Sequence, residues 1–171
     1  MIKAIIYTSN TGFTRKYAEM LQSETGIKAY NFEEAKQKVH KNEEIIYMGW
    51  IMAGTIKNYK KIKIMYNNII AICAVGMGRP KENQYDYLKE KNNINGVNLF
   101  YLQGGFDKKK LKGIYKFMIN SIEKILRPKL EAKTNKTDEE IEMLEMINKG
   151  KNCVKKENLD GIIKFLKVNS N

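Results

Sequence analysis

The chain has 171 residues, 43% of them hydrophobic, and a formal net charge of +12 at pH 7. This length favours a single domain, residues 1–171, with a sizeable core, and no apolar run is long enough for a membrane span. One histidine, His40, and two cysteines, Cys73 and Cys153, without paired metal-ligand spacing argue against a zinc site or a histidine-based catalytic triad. The low cysteine content and the absence of a leader-like start predict a cytoplasmic protein.

The positive charge comes mainly from lysine, since only three of the 31 basic residues are arginines. Such a charge favours acidic partners and speeds encounters with them. Because the lysines are spread along the chain and no recognisable nucleic-acid module accompanies them, we expect no nucleic-acid partner.

The first predicted strand covers residues 4–7, and a helix follows from Arg15. Between them lies the loop Ser9-Asn10-Thr11-Gly12-Phe13-Thr14. A helix N-terminus offers unpaired amides and partial positive charge, the three hydroxyls add donors, and the glycine lets the backbone approach an anion closely. The loop lacks the Gly-Lys-Ser/Thr ending of a P-loop and the three glycines of a dinucleotide fingerprint. It therefore predicts a monophosphate site, with an ordinary N-capped helix start as the alternative.

Strand-like and helix-like runs continue to alternate over the first two thirds of the chain. The further predicted strands cover 27–31, 44–49, 69–75 and 97–102, and the predicted helices between them cover 32–38, 58–66 and 83–91. This alternation predicts an α/β fold with a doubly wound, five-stranded parallel sheet, whose strand order the alternation alone does not fix.

Two more loops leave the carboxyl ends of central strands, where such sheets bind their ligands. The loop after the third strand contains Trp50, Ile51, Met52, Ala53 and Gly54, and the loop after the fourth contains Gly76, Met77, Gly78 and Arg79. We expect both loops to meet the phosphate loop around one ligand, with their glycines allowing main-chain groups to approach it.

The loop Ser9-Asn10-Thr11-Gly12-Phe13-Thr14 resembles the Ser/Thr-x-Thr-Gly-x-Thr phosphate loop of flavodoxins. The resemblance implies the flavodoxin-like strand order 2-1-3-4-5 and FMN as the cofactor, with its phosphate on residues 9–14 and its ring between 50–54 and 76–79. Trp50 would pack against the ring, unless it is a core residue at the strand end. Arg79 would face the N1–C2=O edge of the ring, unless it is a solvated loop residue.

The chain departs from flavodoxins in its charge. Flavodoxins are usually acidic and often carry an aromatic residue within an acidic cluster in the loop after the fourth strand. Here that loop carries Met77, Arg79 and Lys81. The flavin potential and the partner surface of flavodoxins are therefore not carried over to this chain.

The last third of the chain predicts helices. Apolar residues recur at spacings of three and four from Leu111 to Leu126, which predicts a helix that packs on the sheet and ends at Arg127-Pro128. After a polar loop over 130–136, Thr137 is predicted to cap a helix that Gly150 ends, with Ile141, Leu144 and Ile147 facing inward. A final amphipathic helix carries Leu159, Ile162, Ile163 and Leu166.

A flavodoxin needs only one helix after its fifth strand, so the region from about 128 to 154 is predicted to be a helical insertion. This arrangement resembles the branch that includes the flavin-dependent protoporphyrinogen oxidase of bacteria, on the basis of Gly104-Gly105, Asp107 and the run Lys116-Phe117-Met118-Ile119. The resemblance implies dehydrogenation of a porphyrinogen, with electrons passing to a quinone. The basic face and the long helix would also suit peripheral contact with an anionic membrane surface.

We therefore predict an FMN-binding, flavodoxin-like redox protein that passes electrons through its flavin to a partner protein or to a small-molecule or quinone acceptor. The alternatives are a flavin-dependent dehydrogenase of the protoporphyrinogen type and a phosphate-binding or interaction module without redox chemistry. No side chain is predicted to be catalytic and no metal is expected, because the flavin carries the redox chemistry.

Overall fold

The computed structural model describes residues 1–111 and 113–168. Its strands are β1 (Ala4–Thr8), β2 (Lys28–Asn31), β3 (Glu44–Met52), β4 (Thr55–Ile56), β5 (Asn68–Gly76), β6 (Asn98–Gln103), β7 (Gly105–Phe106) and β8 (Lys151–Asn152). Its helices are α1 (Phe13–Thr25), α2 (Phe32–Lys38), α3 (Tyr59–Met65), α4 (Gln84–Asn92), α5 (Gly113–Ala132), α6 (Asp138–Lys149) and α7 (Asp160–Val168). Short 3-10 turns lie at Lys108–Lys110 and Lys156–Leu159. The predicted elements up to β6 are all present, with small shifts in their bounds.

The central sheet has the strand order β2-β1-β3-β5-β6, with every neighbouring pair parallel. Counted over these five strands, the order is 2-1-3-4-5, which confirms the predicted doubly wound α/β fold. The short strand β4 lies off this path and pairs antiparallel with the end of β3. Connections leave β1 towards one edge and β3 towards the other, so the switch point of the sheet lies between these two strands.

The core forms one layer on each side of the sheet, because side chains alternate in direction along each strand. On one side Ile6 packs in a cluster with residues of α2, α3 and α4, among them Ile62 and Leu88. On the other side Ile5 packs in a cluster with residues of α1 and α7, among them Tyr17 and Ile162. Both faces of the central strands are thus covered, as their continuous apolar sequences require.

The final helix α7 is held to the sheet layer by a polar network around Tyr17 of α1. The Tyr17 hydroxyl donates to the carbonyl oxygen of Gln103 at the end of β6, at 2.6 Å. The side-chain amide of Asn158, just before α7, donates to the Tyr17 hydroxyl and to the carbonyl oxygen of Cys153. Burial raises the pKa of the Tyr17 phenol, so this donor stays protonated across the physiological range.

The helix α5 differs from its prediction in two ways. Its apolar stripe does not pack on the sheet: Ile114, Phe117 and Ile125 are 68%, 73% and 63% exposed. The sheet face next to α1 is covered by α7 instead, whose Ile162 and Leu166 are buried there. The prediction of sheet packing was wrong because an amphipathic stripe indicates that a helix has an apolar face but not what covers it.

The second difference is that α5 does not end at Arg127-Pro128 but continues to Ala132, with Pro128 inside it. A proline inside a helix removes the one hydrogen bond that its own N–H would have made. That bond would have gone to the carbonyl oxygen of Lys124 on an exposed stretch, where water can replace it. Burial of Leu130, which is 8% exposed, anchors the extra turn.

The predicted start and end of α6 are confirmed. The Thr137 hydroxyl accepts from the N–H of Glu140, and the Glu140 carboxylate accepts from the N–H of Thr137, which makes a capping box. Gly150, with a φ of 74°, ends the helix. Its most buried apolar residue is Met146, whereas Ile141, predicted to face inward, is 46% exposed. Within residues 1–111 and 113–168, no helix combines the length and apolarity needed to cross a bilayer.

Candidate functional site

A cavity of about 360 Å³ lies beyond the carboxyl ends of β1, β3, β5 and β6. This is the edge at which doubly wound sheets bind ligands, and the volume lies in the range of small-molecule sites. Its walls are largely apolar. The lining residues predicted from the sequence are Ser9, Asn10, Thr11, Phe13, Thr14, Trp50, Ile51, Met52, Ala53, Gly76 and Met77. Those not predicted are Val75, Gly105, Phe106, Leu111, Tyr115, Met118, Ile119 and Ile122.

The first loop bends sharply into α1 at Gly12, whose φ of 95° lies in the left-handed region that favours glycine. The N–H of Gly12 donates to the Ser9 hydroxyl at 3.2 Å, which fixes the turn. The amides of the first helical turn have no partner inside the helix and give its start a partial positive charge. Gly12 itself does not line the cavity, so its contribution is to the backbone path.

Several donors in this loop have no partner within the described parts of the chain. The side-chain nitrogen of Asn10 is buried and makes no hydrogen bond there. Thr14 is 1% exposed, and neither its hydroxyl nor that of Thr11 is hydrogen-bonded to a described residue. A buried donor without a partner is costly, so the Asn10 nitrogen, with the two threonine hydroxyls near it, indicates an acceptor that binds beside the cavity.

The second predicted loop is a β-hairpin. β3 continues through Met52, Ala53 and Gly54 make the turn with φ values of 47° and 77°, and β4 returns along β3. The left-handed conformation at both turn positions is that of a type I′ hairpin, which matches the twist of the strands. The prediction of an irregular loop was therefore wrong for Trp50, Ile51 and Met52, which are held in register by the ladder.

The hairpin is attached to α4 by a buried asparagine, Asn92, which no sequence pattern indicates. The Asn92 side chain is 5% exposed, donates to the carbonyl oxygen of Gly54 at 2.8 Å and accepts from the N–H of Ile56 at 2.8 Å. It also donates to the carbonyl oxygen of Leu88 in its own helix. Gly54 does not line the cavity, but its carbonyl is the point at which the hairpin is fixed.

Trp50 lies at the cavity wall rather than in either core cluster and is half-buried. Its ring meets that of Tyr115 from α5 edge to face, with centroids 5.0 Å apart. The ammonium group of Lys57 lies 5.8 Å from the Trp50 centroid and 5.0 Å from that of Tyr115. This cluster of two rings and one cation joins the hairpin to α5 across the cavity.

The third loop is fixed by a half-buried tyrosine, Tyr101. The Tyr101 hydroxyl donates to the carbonyl oxygen of Gly78 at 2.8 Å, and burial raises the pKa of Tyr101 to about 12. The phenol therefore remains a donor at neutral pH. Gly76 and Met77 line the cavity, whereas Gly78 turns its carbonyl away towards Tyr101.

Arg79 lies outside the cavity, which agrees with the alternative of a solvated loop residue rather than with a residue that faces a bound ring. Its side chain is 77% exposed, and its Nε lies 3.4 Å from the carboxylate of Glu142 in α6. Lys151 also pairs with Glu142, at 2.6 Å, and its hydrogen bond holds the pKa of that carboxyl below its usual range. The extra helix α6 supplies this acidic partner, and no pattern near Arg79 indicates it.

For FMN, the ligand that the resemblance to flavodoxins implies, we expect Arg79→Gln to change the affinity by less than about twofold. An exposed ion pair contributes little, and the Arg79 side chain does not line the cavity. Fluorescence titration of FMN with the purified variant measures this. Glu142→Gln, which removes the partner carboxylate, is the matched control and should behave the same way. A tenfold or greater loss in Arg79→Gln alone contradicts the placement of Arg79 outside the site.

The unpredicted lining residues come from the segment after β6 and from α5. Gly105 and Phe106 follow the carboxyl end of a sheet strand, so the rule that marked the other three loops also applies to them. Tyr115, Met118, Ile119 and Ile122 lie on one side of α5 at spacings of three and four. Met118 and Ile122 belong to the apolar stripe that was predicted to pack on the sheet, whereas Tyr115 and Ile119 lie outside that stripe.

The structure is a parallel, doubly wound α/β sheet with a loop of hydroxyl and amide donors at its switch point, the edge at which such sheets bind ligands. The sequence model of the flavodoxin domain family matches residues 4–133, from the start of β1 to just beyond α5. The match covers more than half of the chain, and the chain belongs to the flavodoxin domain family. No curated protein matches the sequence at a significant level. The narrower resemblance to the protoporphyrinogen oxidase branch stays a prediction.

Proposed function

We propose that this protein binds FMN in the cavity and transfers electrons through it. The observation that carries the proposal is the group of unpaired donors at the start of α1, namely the Asn10 amide and the Thr11 and Thr14 hydroxyls, beside a largely apolar cavity. A phosphate at the loop would accept hydrogen bonds from these donors, and an aromatic ring system would pack against the apolar walls of the cavity. Membership of the flavodoxin domain family supports the same ligand.

The phosphate and the ring of FMN would be bound by different groups of residues. The first-turn amides of α1 and the neutral donors of residues 9–14 would hold the phosphate without a lysine or arginine in the loop. Trp50, Met52 and Met77 would contact the ring and exclude water from it. Bound FMN supplies the one- and two-electron redox chemistry that these side chains do not offer.

We also propose which partners would exchange electrons with the bound FMN. The net charge of +12 supports acidic protein partners rather than the basic partners of an acidic flavodoxin. A small-molecule or quinone acceptor is equally compatible with the apolar cavity. We place the protein in the cytoplasm, since its two cysteines, Cys73 and Cys153, are free.

A second candidate is a flavin-dependent dehydrogenase, and one observation favours it. Beyond the three loops that would surround the flavin, α5 adds Tyr115, Met118 and Ile122 as a further apolar wall. An electron carrier needs only an exposed ring edge, whereas an enzyme needs a surface against which a substrate can lie.

The absorption spectrum of the purified protein, before and after adding FMN and then dithionite, tests the proposed function. We expect a perturbed flavin spectrum on binding and bleaching on reduction. A protein that leaves the spectrum of added FMN unchanged overturns the proposal and favours a phosphate-binding or interaction module on the same fold.

A further inference from the structure

The outer face of α5 is an uncharged ridge that no described element covers. Ile114, Phe117, Ser121, Ile125 and Pro128 follow one another at spacings of three, four, four and three residues, and all are exposed. Such spacing places them in one row along the helix. We call these five residues the α5 ridge.

The only polar side chain on the α5 ridge is already satisfied within the helix. The Ser121 hydroxyl donates to the carbonyl oxygen of Phe117 at 3.1 Å. A serine that bonds back to the preceding turn presents little unsatisfied polarity to its surroundings. The α5 ridge is therefore suited to an apolar environment along its full length.

Positive charges flank the α5 ridge. Lys116, Lys124 and Lys129 are exposed on either side of it. The acidic residue Glu123 is turned inward, with a side chain 11% exposed, and is paired with Lys108 and Arg127. Glu131, at the C-terminal end, is the one exposed carboxylate of α5.

We propose that the α5 ridge docks on an anionic lipid bilayer, with α5 lying in the plane of the interface. An apolar row with large side chains between lysines is the pattern that inserts into the headgroup boundary, while the lysines meet anionic lipid. A second copy of this chain would bring the same lysines against each other, so charge complementarity disfavours it. An acidic protein would meet the lysines but leaves the row of Ile and Phe side chains without an obvious counterpart.

The α5 ridge is continuous with the ligand cavity. Met118 and Ile122, on the neighbouring row of α5, line the cavity and are themselves 37% and 52% exposed. Docking through the α5 ridge would therefore place the mouth of the cavity next to the bilayer. This inference rests on the surface of α5 and not on the identity of the cavity ligand.

Co-sedimentation of the full chain with vesicles of phosphatidylcholine mixed with phosphatidylglycerol, and with vesicles of phosphatidylcholine alone, tests the proposal. We expect binding to the anionic vesicles and much weaker binding to the neutral ones. The double variant Phe117→Ser with Ile125→Ser should bind the anionic vesicles about tenfold less tightly or worse. Neither residue lines the cavity, so circular dichroism and FMN titration should be unchanged.

The helix α3 provides matched controls. Ile64 is 84% exposed there, and Ile64→Ser should bind vesicles like the original protein. Lys116→Glu with Lys124→Glu should weaken binding more than Lys60→Glu with Lys61→Glu, which makes the same change in net charge on α3. If the two double variants lose vesicle binding equally, the protein is attracted by its net charge alone, and the proposal is overturned.

Two other results also overturn it. One is that the chain binds neither kind of vesicle. The other is a protein whose Phe117 and Ile125 control self-association in sedimentation velocity but not vesicle binding, which would assign the α5 ridge to a second copy. Because vesicle binding is measured without FMN, its failure is separate from failure of the proposed redox function.

Discussion

Replacing Thr11 and Thr14 together by alanine is expected to raise the dissociation constant for FMN by about thirtyfold or more. Each hydroxyl would otherwise donate to a desolvated phosphate, and the loss of one such bond costs about 1–3 kcal/mol. Both hydroxyls lack a described protein partner, so their removal breaks no bond within the described fold. Titration of flavin fluorescence gives the affinity directly.

Two variants control this experiment. Thr25→Ala removes a threonine at the other end of α1, where the hydroxyl donates to the carbonyl oxygen of Leu21 at 2.7 Å, and should leave FMN affinity unchanged. Thr14→Ser keeps the hydroxyl and should retain most of the affinity. If the double alanine variant binds FMN as tightly as the original protein, the phosphate does not lie on this loop.

Replacing Asn92 by alanine is expected to lower the free energy of unfolding by about 2–4 kcal/mol, because it leaves buried main-chain groups unpaired. The N–H of Ile56 and the carbonyl oxygen of Gly54 would lose their partner, and the hairpin would lose its attachment to α4. Since the hairpin forms one wall of the cavity, FMN affinity should fall as well. Urea unfolding and FMN titration measure the two effects.

Asn83→Ala is the matched control for Asn92→Ala. Asn83 precedes the other end of α4, is exposed, and its side chain makes no capping hydrogen bond. Its loss should change the unfolding free energy by less than about 0.5 kcal/mol. Equal stability of the two variants would show that the Asn92 contacts do not hold the hairpin.

The sheet and its flanking helices could be predicted because their signals are local. Buried strands such as β5 are continuous apolar runs, and each is separated from the next by a helix-forming segment, which leaves few topologies to choose from. The first loop could likewise be predicted, since its hydroxyls and Gly12 stand next to each other in the sequence. The order of strands came from resemblance, because alternation does not contain it.

The remaining features depend on contacts between distant parts of the chain. Nothing near Asn92 indicates that its side chain will meet Gly54 and Ile56, and nothing near Arg79 indicates Glu142. The stripe of α5 resembles that of α7 in the sequence, but only one helix can occupy the sheet face beside α1. A local sequence pattern does not show which of the two helices covers this sheet face, because that depends on packing in three dimensions.

The short ladder between β7 and β8 indicates where the sequence of this fold can vary in evolution. It pairs Gly105 with Asn152 and Phe106 with Lys151, although the whole of α5 and α6 lies between them in the chain. The excursion thus leaves and rejoins the domain at neighbouring points, as tolerated domain insertions do. Changes in the length of α6 and in the outer surface of this segment are therefore expected to leave the strands, the first loop and α7 in place. Diversity among related scaffolds is expected to concentrate there, rather than in the sheet or in the side of α5 that lines the cavity.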